Sequence, residues 1–274
     1  ADAAMYLAKR QGKGRYEFFE PQHFAEAMDR LELKADLEGA LERRELEIYY
    51  QPIVDTDSAV IRSVEALLRW HHPSKGLVSP DRFIPLAEES GLIISIGKWV
   101  LEEACDQVRR WQVMIPHCSE LSASVNLSAR QLRDPGLLET VTEALRMSGL
   151  SPDRLVLEVT ESLLIEDTTS GARTLEQLKA LLVRIAIDDF GTGYSSLSYL
   201  HSFPVDTIKI DRSFVSKLSQ SSTSIALVRT VIDLARAVGG TTVAEGVENQ
   251  NQLDILSSLH CDLVQGYLYS RPVS

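Results

Sequence analysis

The most informative segment of the chain is Ala186-Ile187-Asp188-Asp189-Phe190-Gly191-Thr192-Gly193-Tyr194-Ser195-Ser196. The short apolar run Leu182–Ile187 that leads into it is typical of a strand buried on both faces. Asp188 and Asp189 then lie at the carboxyl end of that strand, where α/β sheets place their chemistry. Neighbouring side chains on a strand point to opposite faces, so the pair either serves two cations or bends the strand until both reach one. A capped turn without a metal explains the same residues equally well.

The composition is that of an acidic globular protein. The 274 residues carry a formal net charge of -11, and 44% of them are hydrophobic, which is ordinary for a chain with a sizeable core. A surface of this charge repels polyanions and argues against a nucleic acid polymer as partner. The three scattered cysteines indicate a reducing compartment rather than a disulfide framework or a structural zinc site. We therefore expect a cytoplasmic location for this part of the protein.

Eight strands are predicted from residue 46 onward, and helical patterns separate most of them. The strands are Leu46–Ile53, Ile61–Arg69, Leu121–Leu127, Leu155–Thr160, Val183–Asp189, Thr207–Ile210, Thr242–Glu245 and Asp262–Gln265. The helices are Pro80–Glu89, Lys98–Met114, Pro135–Ser148, Ala172–Leu182, Thr223–Val238 and Gln250–Ser258. The first two strands are joined through Val54–Ser58, which is too short for a crossover helix and requires antiparallel pairing. The pattern predicts an α/β fold, a modified TIM (β/α)8 barrel with an antiparallel first strand.

Polar side chains follow the predicted strands at their carboxyl ends, which meet at one mouth of a barrel. They are Glu65, Asn126, Glu158, Asp188 with Asp189, Lys209, Glu245 and Gln265. Buried carboxylates gathered at one mouth repel each other unless cations neutralise them. Oxygen donors favour Mg²⁺ or Mn²⁺ over zinc, and several carboxylates with an amide can hold two ions at the spacing used in phosphoryl hydrolysis. In such a site Lys209 would bind phosphate oxygens.

Eight short motifs match those of a known family in the same order. The match extends from about residue 28 to the end of the sequence. They are Tyr50-Gln51-Pro52-Ile53, Glu65-Ala66-Leu67-Leu68-Arg69-Trp70, Ser124-Val125-Asn126-Leu127-Ser128, Glu158-Val159-Thr160-Glu161-Ser162, Asp188-Asp189-Phe190-Gly191-Thr192-Gly193, Lys209-Ile210-Asp211, Ala244-Glu245-Gly246-Val247-Glu248 and Gln265-Gly266-Tyr267. In these motifs the chain resembles the EAL-domain cyclic-di-GMP phosphodiesterases. The resemblance implies hydrolysis of one phosphodiester bond of cyclic-di-GMP to linear pGpG. It also implies two Mg²⁺ or Mn²⁺ ions as cofactors. Ca²⁺ is expected to occupy the site and inhibit, because it accepts looser geometry and polarises water less.

The resemblance assigns roles to the residues at the barrel mouth. The positions implied for the first metal ion are Glu65, Asn126, Glu158 and Asp188. Those implied for the second, directly or through water, are Asp188, Asp189 and Glu245. Glu245 is also a candidate general base, and the sequence leaves both roles open. Lys209 would orient the water or steady phosphate charge, and Glu161 would brace the Asp189–Ser196 loop.

The nucleotide contacts are likewise implied by the resemblance. They are Gln51, Leu67, Arg69, Glu248, Gln265 and Tyr267. Gln265 would also hold a water at the metal site. Arg69 suits a phosphate fork, although a surface arginine beside Trp70 has the same sequence. Tyr267 could stack on guanine, and packing in the core explains it equally well.

The same family resemblance predicts the domain boundaries. Residues 1–19 resemble the end of a GGDEF diguanylate-cyclase domain, residues 20–27 are assigned to a linker helix, and residues 28–274 form the EAL barrel. The parent protein is expected to be a GGDEF–EAL tandem, and its anchoring in the inner membrane stays open. The barrel is expected to form a homodimer near the Asp189–Ser196 loop.

Two other classes of function compete with the phosphodiesterase. An EAL-like domain without turnover would serve as a cyclic-di-GMP receptor or a dimerisation module, but such domains usually lose acidic ligands, and this chain keeps all of them. A Mg²⁺-dependent barrel lyase or a two-carboxylate glycosidase would not require an asparagine, a lysine and five carboxylates around one mouth. The sequence therefore favours an active phosphodiesterase.

Overall fold

The chain forms two compact units. The computed structural model describes residues 21–161, 163, 170–191 and 203–274. Of the described residues, the first unit takes in those up to Glu47 together with Arg69–Ile93, and the second takes in Ile48–Leu68 and those between Ile94 and Ser274. The predicted GGDEF remnant at residues 1–19 lies outside the described residues. The predicted boundary between residues 27 and 28 lies within one continuous helix, Pro21–Leu37.

Eight strands close into the predicted barrel. In chain order the described strands are β1 Leu46–Asp55, β2 Ile61–His72, β3 Gly76–Val78, β4 Ser122–Asn126, β5 Leu155–Thr160, β6 Arg184–Phe190, β7 Thr207–Ile210, β8 Thr241–Ala244 and β9 Leu263–Gln265. All except β3 form the ring, in the order β1-β9-β8-β7-β6-β5-β4-β2, and β1 also pairs with β2, which closes it. β1 runs antiparallel to β9, whereas each successive pair from β2 and β4 to β8 and β9 is parallel. The modified TIM barrel with its antiparallel first strand is thus confirmed.

The turn between β1 and β2 explains the antiparallel first strand. The Asp55 N–H donates to the Val60 carbonyl oxygen at 2.9 Å, and the Ala59 N–H donates to the Asp55 carbonyl oxygen at 2.9 Å. The Asp55 carboxylate accepts from the backbone and hydroxyl of Ser58 at 2.9 and 2.7 Å. An aspartate that bonds to groups three residues on is typical turn chemistry. The chain therefore reverses at once, without a crossover helix.

The helices lie between the strands. Their bounds are Pro21–Leu37, Pro80–Ser90, Leu92–Met114, Ala129–Leu132, Leu137–Ser148, Ser170–Ala180, Arg212–Val215, Ser222–Ala237 and Gln250–Ser258. The helix predicted to begin at Lys98 begins at Leu92, because Gly91 ends the preceding helix at φ 87° and the next helix follows directly. Among the described residues, no helix combines the length and apolar character needed to cross a membrane.

The first unit is built around Trp70. Its ring lies 5.6 Å from the ring of Phe83 and 5.1 Å from that of His72, both edge to face. Trp70 and His72 belong to β2, which extends past the predicted Arg69 because Trp70 pairs with Val78 of β3. That three-residue strand was not predicted, since Gly76–Val78 is too short to show an alternating pattern.

The outer wall of the second unit is apolar. Side chains of β7, β8 and β9 pack with the helices Ser222–Ala237 and Gln250–Ser258 in one buried cluster, which includes Ile210, Val228, Ile232, Ala244, Leu256 and Val264. This wall fixes the strand ends relative to each other. The inner face of the same strands is then available for polar side chains.

A close backbone approach fixes the segment after β9. A Cβ atom at Gly266 would lie 2.1 Å from the carbonyl oxygen and 2.3 Å from the nitrogen of Val247. The Val247 N–H donates to the Gln265 carbonyl oxygen at 3.0 Å, and the Leu268 N–H donates to the Val247 carbonyl oxygen at 2.9 Å. Only a residue without a side chain fits between these bonds.

We expect Gly266→Ala to lower the free energy of unfolding by about 1–3 kcal/mol, the usual range for overpacking a filled site. The matched control is Gly171→Ala, where the new methyl group would meet Leu132 at an ordinary 3.5 Å. Urea denaturation of the two variants and the wild type measures the midpoints, from which the free energies of unfolding are compared. Equal midpoints for Gly266→Ala and the wild type would contradict the observed close approach.

Candidate active site

One buried lysine stands among four carboxylates at the carboxyl ends of the barrel strands. The Lys209 Nζ lies 2.6 Å from Glu158 Oε2 and 2.7 Å from Glu245 Oε1. It lies 3.1 Å from Asp188 Oδ1 and 3.5 Å from Glu65 Oε2. The side chains of Lys209 and Glu158 are each 1% exposed. These five residues, named here the lysine cluster, come from strands far apart in the sequence. Glu65 was predicted at a strand end but lies within β2, which continues to His72.

The strand registers explain why these side chains meet. Asn126 pairs with Glu158, and Thr160 pairs with Asp188. In-register residues on parallel neighbours face the same side of the sheet, so the side chains at the ends of β4, β5 and β6 all enter the barrel mouth. Glu245 follows β8 directly, and its N–H donates to the Ile210 carbonyl oxygen at 3.0 Å. The mouth predicted from the sequence is thus assembled by parallel pairing.

The strand β6 bends at the adjacent aspartates. Its register with β7 shifts between Ile187 and Phe190, and Asp189 has φ 54°. A left-handed residue other than glycine carries strain of about 1–2 kcal/mol. The Asp189 N–H donates to Asp188 Oδ1 at 3.0 Å, which holds the bend. Of the possibilities left open by the sequence, the structure shows the bent strand that aims both carboxylates at one place.

This bend creates a set of ligand atoms for a cation. One carboxylate oxygen each from Asp188, Asp189 and Glu245 lie within 4.8 Å of one another. Hard oxygen donors at this spacing suit a divalent ion such as Mg²⁺ or Mn²⁺. The residues that the structure describes therefore fit the implied metal.

Glu65 is held by two amides rather than by the lysine alone. Asn126 Nδ2 donates to Glu65 Oε1 at 2.7 Å, and Gln265 Nε2 donates to Glu65 Oε2 at 2.7 Å. Gln265 Nε2 also lies 3.0 Å from Gln51 Oε1. The Gln265 Oε1 atom is buried and has no hydrogen-bond partner among the described residues. A buried acceptor without a donor is costly, so this atom is suited to a donor on a water or a bound ligand.

The crowding of acids shifts their pKa values. Burial raises the pKa of Glu245 to about 7, the charges of Asp188 and Glu65 add to the rise, and Lys209 opposes it. Burial also raises the pKa of Glu158, despite the ammonium 2.6 Å away. Burial would lower the pKa of Lys209, but the surrounding carboxylates raise it above its usual value. The lysine therefore stays charged, while the excess of carboxylates favours binding a proton or a metal ion.

A cleft of about 200 Å³ opens beside the lysine cluster. This upper cleft is lined by Gln51, Glu65, Leu67, Arg212, Glu245, Gly246, Glu248, Gln265, Gly266 and Tyr267. It brings together five of the six residues predicted to contact the nucleotide. Arg69, the sixth predicted contact, belongs to the first unit. Tyr267 is half exposed, and the Arg271 guanidinium lies 4.2 Å from the centre of its ring.

Arg212 was missed by the sequence analysis. It opens the short helix that follows β7, and Asp211 caps that helix by accepting from the Ser213 N–H at 3.0 Å. A Cβ atom at Gly246 would lie 2.6 Å from the Arg212 Cβ, so the arginine approaches the segment after β8 closely. Its position in the sequence could have indicated it, because it is a cation three residues after Lys209 and follows the carboxyl end of the same strand.

Glu161 contacts the start of the loop that it was predicted to brace. The Gly191 N–H donates to Glu161 Oε2 at 2.8 Å, and Glu161 is buried. Gly191 has φ 96°, and a side chain there would lie 2.9 Å from the Phe214 ring. The rest of the loop, residues 192–196, lies outside the described residues. The predicted dimer contact near the loop therefore stays a prediction.

Comparisons of the sequence and of the structure with known proteins point to the same family. The family model of the EAL domain matches residues 34–272. The bifunctional diguanylate cyclase/cyclic di-GMP phosphodiesterase MucR of Pseudomonas aeruginosa is 47% identical over 273 residues, which are 100% of this chain and 40% of MucR. The cyclic di-GMP phosphodiesterase NbdA of the same organism is 40% identical over 100% of this chain and 35% of its own length. A solved structure of the PaMucR phosphodiesterase in complex with c-di-GMP has a TM-score of 0.84 and 46% identity, covering 88% of this chain and 97% of that one.

We expect the affinity for Mn²⁺ to rise with pH between 6 and 8. Since burial holds Glu245 protonated up to a pKa of about 7, the ion must displace that proton, and affinity falls by about tenfold for each pH unit below 7. Calorimetric titration of the protein with Mn²⁺ in several buffers measures both the affinity and the released proton.

The matched control is Glu248→Gln, which removes an exposed carboxylate of the upper cleft and should keep the pH dependence. Glu245→Gln should bind Mn²⁺ more weakly and with a smaller dependence on pH than the wild type. An affinity of the wild type that stays flat from pH 6 to 8 would show that no protonated carboxylate competes with the ion.

Proposed function

This chain belongs to the EAL domain family, and from that premise we propose that it is a metal-dependent phosphodiesterase that hydrolyses cyclic-di-GMP to linear pGpG and so lowers this bacterial second messenger. The observation that carries the proposal is the complete lysine cluster beside an open cleft. The names of MucR and NbdA, and the nucleotide complex of PaMucR, support the same substrate.

The metal ligands follow the assignment that the family resemblance implies. Two Mg²⁺ or Mn²⁺ ions would be held by the acids of the barrel mouth, one by Glu65, Asn126, Glu158 and Asp188, and the other by Asp188, Asp189 and Glu245. Such ions stabilise the charge on phosphoryl oxygens and lower the pKa of water. The strained bend at Asp189 supports this assignment, because strain of this kind is retained where a site needs it.

The reaction needs a base and a proton donor. The oxygen of a water forms a bond to phosphorus, the bond from phosphorus to the ribose 3′ oxygen breaks, and the leaving oxygen takes up a proton from solvent water. In this proposal Glu245 would hold the second ion through a water rather than directly, and its carboxylate, whose pKa burial raises to about 7, would accept the proton of the attacking water. Lys209 keeps the four carboxylates close together by opposing their repulsion.

The upper cleft holds the reacting phosphate and one flanking nucleoside. Its volume of about 200 Å³ is below the range of roughly 300–1,000 Å³ typical of sites that enclose a drug-sized ligand. The remainder of a cyclic dinucleotide would therefore extend over the rim, where the half-exposed Tyr267 offers a ring for stacking. Arg212 supplies a guanidinium for phosphate oxygens.

The chain spans between about a third and two fifths of the curated relatives that it matches. The printed name of MucR pairs a diguanylate cyclase with a phosphodiesterase. We therefore keep, as part of the proposal, a parent protein with a GGDEF domain before the EAL barrel, a cytoplasmic site of action and a homodimer through the barrel. The alternative of a silent receptor is less favoured, because every acidic residue of the implied metal site is present.

Incubation with cyclic-di-GMP and Mg²⁺, with the product separated by chromatography, tests the activity. We expect pGpG with Mg²⁺ or Mn²⁺, no product after chelation, and no turnover with Ca²⁺, which accepts looser geometry. Glu65→Gln should lower kcat/KM by on the order of a thousandfold, as loss of a transition-state interaction of about 4 kcal/mol does.

The matched control for this experiment is Glu139→Gln, an exposed carboxylate on the helix Leu137–Ser148. It should leave the rate unchanged. Binding of cyclic-di-GMP without any product, under all three metals, would instead identify the chain as a receptor.

A separate prediction concerns the rim of the upper cleft. Tyr267→Ala should raise KM by about tenfold with little change in kcat, since stacking of a base on an aromatic ring contributes about 1–3 kcal/mol. Tyr267→Phe keeps the ring and should keep KM. Steady-state kinetics of the two variants measure KM and kcat. An unaltered KM in Tyr267→Ala would mean that guanine does not stack on this ring.

A further inference from the structure

A second and larger cavity lies on the other side of the lysine cluster. Its volume is about 580 Å³, and all eight barrel strands contribute to its wall. Its deep end is formed by Glu158 and Lys209, and its outer rim by residues at the amino-terminal ends of the strands, including Arg62, Arg184 and Thr241. We call it the floor cavity.

Small side chains leave this space open. TIM barrels normally fill their interior with layers of bulky branched residues. Here the wall residues below the lysine cluster include Ser63, Ser122, Ser124, Ala186 and Thr207. The registers confirm that they share the inner face, since Ser63 pairs with Ser122, and Ala186 pairs with both Glu158 and Thr207.

The wall of the floor cavity is polar enough to hold water. Ser63 Oγ donates to the Ser122 carbonyl oxygen at 3.1 Å and lies 3.3 Å from Ser124 Oγ. On the opposite strands, the hydroxyls of Thr207 and Thr241 lie 3.1 Å apart. Cavities lined by polar groups are hydrated, whereas apolar ones stay dry, and this volume has room for on the order of ten waters.

The lysine cluster forms the partition between the two cavities. Glu65 and Glu245 line the upper cleft, whereas Glu158 and Lys209 line the floor cavity. The Lys209 Nζ bridges the sides, at 2.6 Å from Glu158 and 2.7 Å from Glu245. The space between the upper cleft and the floor cavity is therefore about one side chain thick.

The proposed hydrolysis gives this arrangement a use. In an in-line displacement the attacking water and the leaving oxygen lie on opposite sides of phosphorus. A nucleotide in the upper cleft covers the outer side of the lysine cluster, so water that arrives from the protein side avoids the bound nucleotide. Building on the proposed function, we propose that the floor cavity is a second entrance, through which water reaches the lysine cluster while the nucleotide is bound.

A thiol placed in the wall makes the entrance testable. In Ser122→Cys the new thiolate would attack a methanethiosulfonate reagent that carries a trimethylammonium group, forming a disulfide and releasing methanesulfinate. We expect this labelling to proceed at the same rate with and without cyclic-di-GMP and Ca²⁺, since access is from the floor. Labelling should lower kcat by about tenfold with KM and Mn²⁺ affinity unchanged, and reduction of the disulfide should restore it.

Three controls accompany the experiment. The wild type treated in parallel measures the labelling of the native thiols, because Cys261 also lines the floor cavity. Ser119→Cys places a thiol at an exposed position outside the cavity wall and should be labelled without loss of kcat. Thr207→Cys repeats the test from an opposite strand if Ser122→Cys does not fold.

Two results would overturn the proposal. Thiols at both wall positions that stay unlabelled in the folded protein would mean that the floor is closed. Labelled protein with full kcat would mean that water does not need this entrance. Because labelling is measured without turnover, it still reports on the entrance if the chain proves not to hydrolyse cyclic-di-GMP, so failure of the two proposals can be told apart.

Discussion

Repulsion among buried carboxylates is the constraint on which the site depends. Four acids of the lysine cluster share one ammonium, whose nitrogen lies between 2.6 and 3.5 Å from all of them. An isolated carboxylate in a barrel interior would be costly to keep charged, and each neighbouring acid adds to that cost. Lys209 offsets part of the repulsion. The repulsion that Lys209 does not offset contributes, together with burial, to the pKa of Glu245, which is raised to about 7.

The rest of the mouth compensates for the same constraint. Asn126 and Gln265 donate to Glu65, which, together with Lys209, outweighs burial and lowers its pKa. The strain at Asp189 is held by bonds on both sides: its N–H donates to Asp188, and the next residue but one, Gly191, donates to Glu161. Functional acids and supporting amides thus form one network, in which removal of one member leaves another buried group unpaired.

The sequence predicted the barrel and the membership of the mouth because both follow from local rules. A short link between Ile53 and Ile61 forces antiparallel pairing, and parallel strands bring their carboxyl ends together whatever their spacing along the chain. The sequence could not predict the bend at Asp189, because the φ angle of Asp189 depends on contacts with Glu161 and with β7, which are made only in the folded protein. Arg212 was missed because a cation after a strand is common, and only its proximity to Gly246 distinguishes it. The floor cavity depends on all eight strands at once, so no single stretch indicates it.

The open floor and the charged mouth have a common origin. Long side chains at strand ends, such as Glu158 and Lys209, fill the barrel interior from above, so bulky residues below them would compete for the same volume. Ser124 and Ala186 avoid that competition and leave the floor cavity beneath the charges. Water that enters this cavity would raise the effective dielectric on one side of the lysine cluster and weaken the repulsion among its acids. An open floor would therefore stabilise the same arrangement of carboxylates that the upper cleft presents to a ligand.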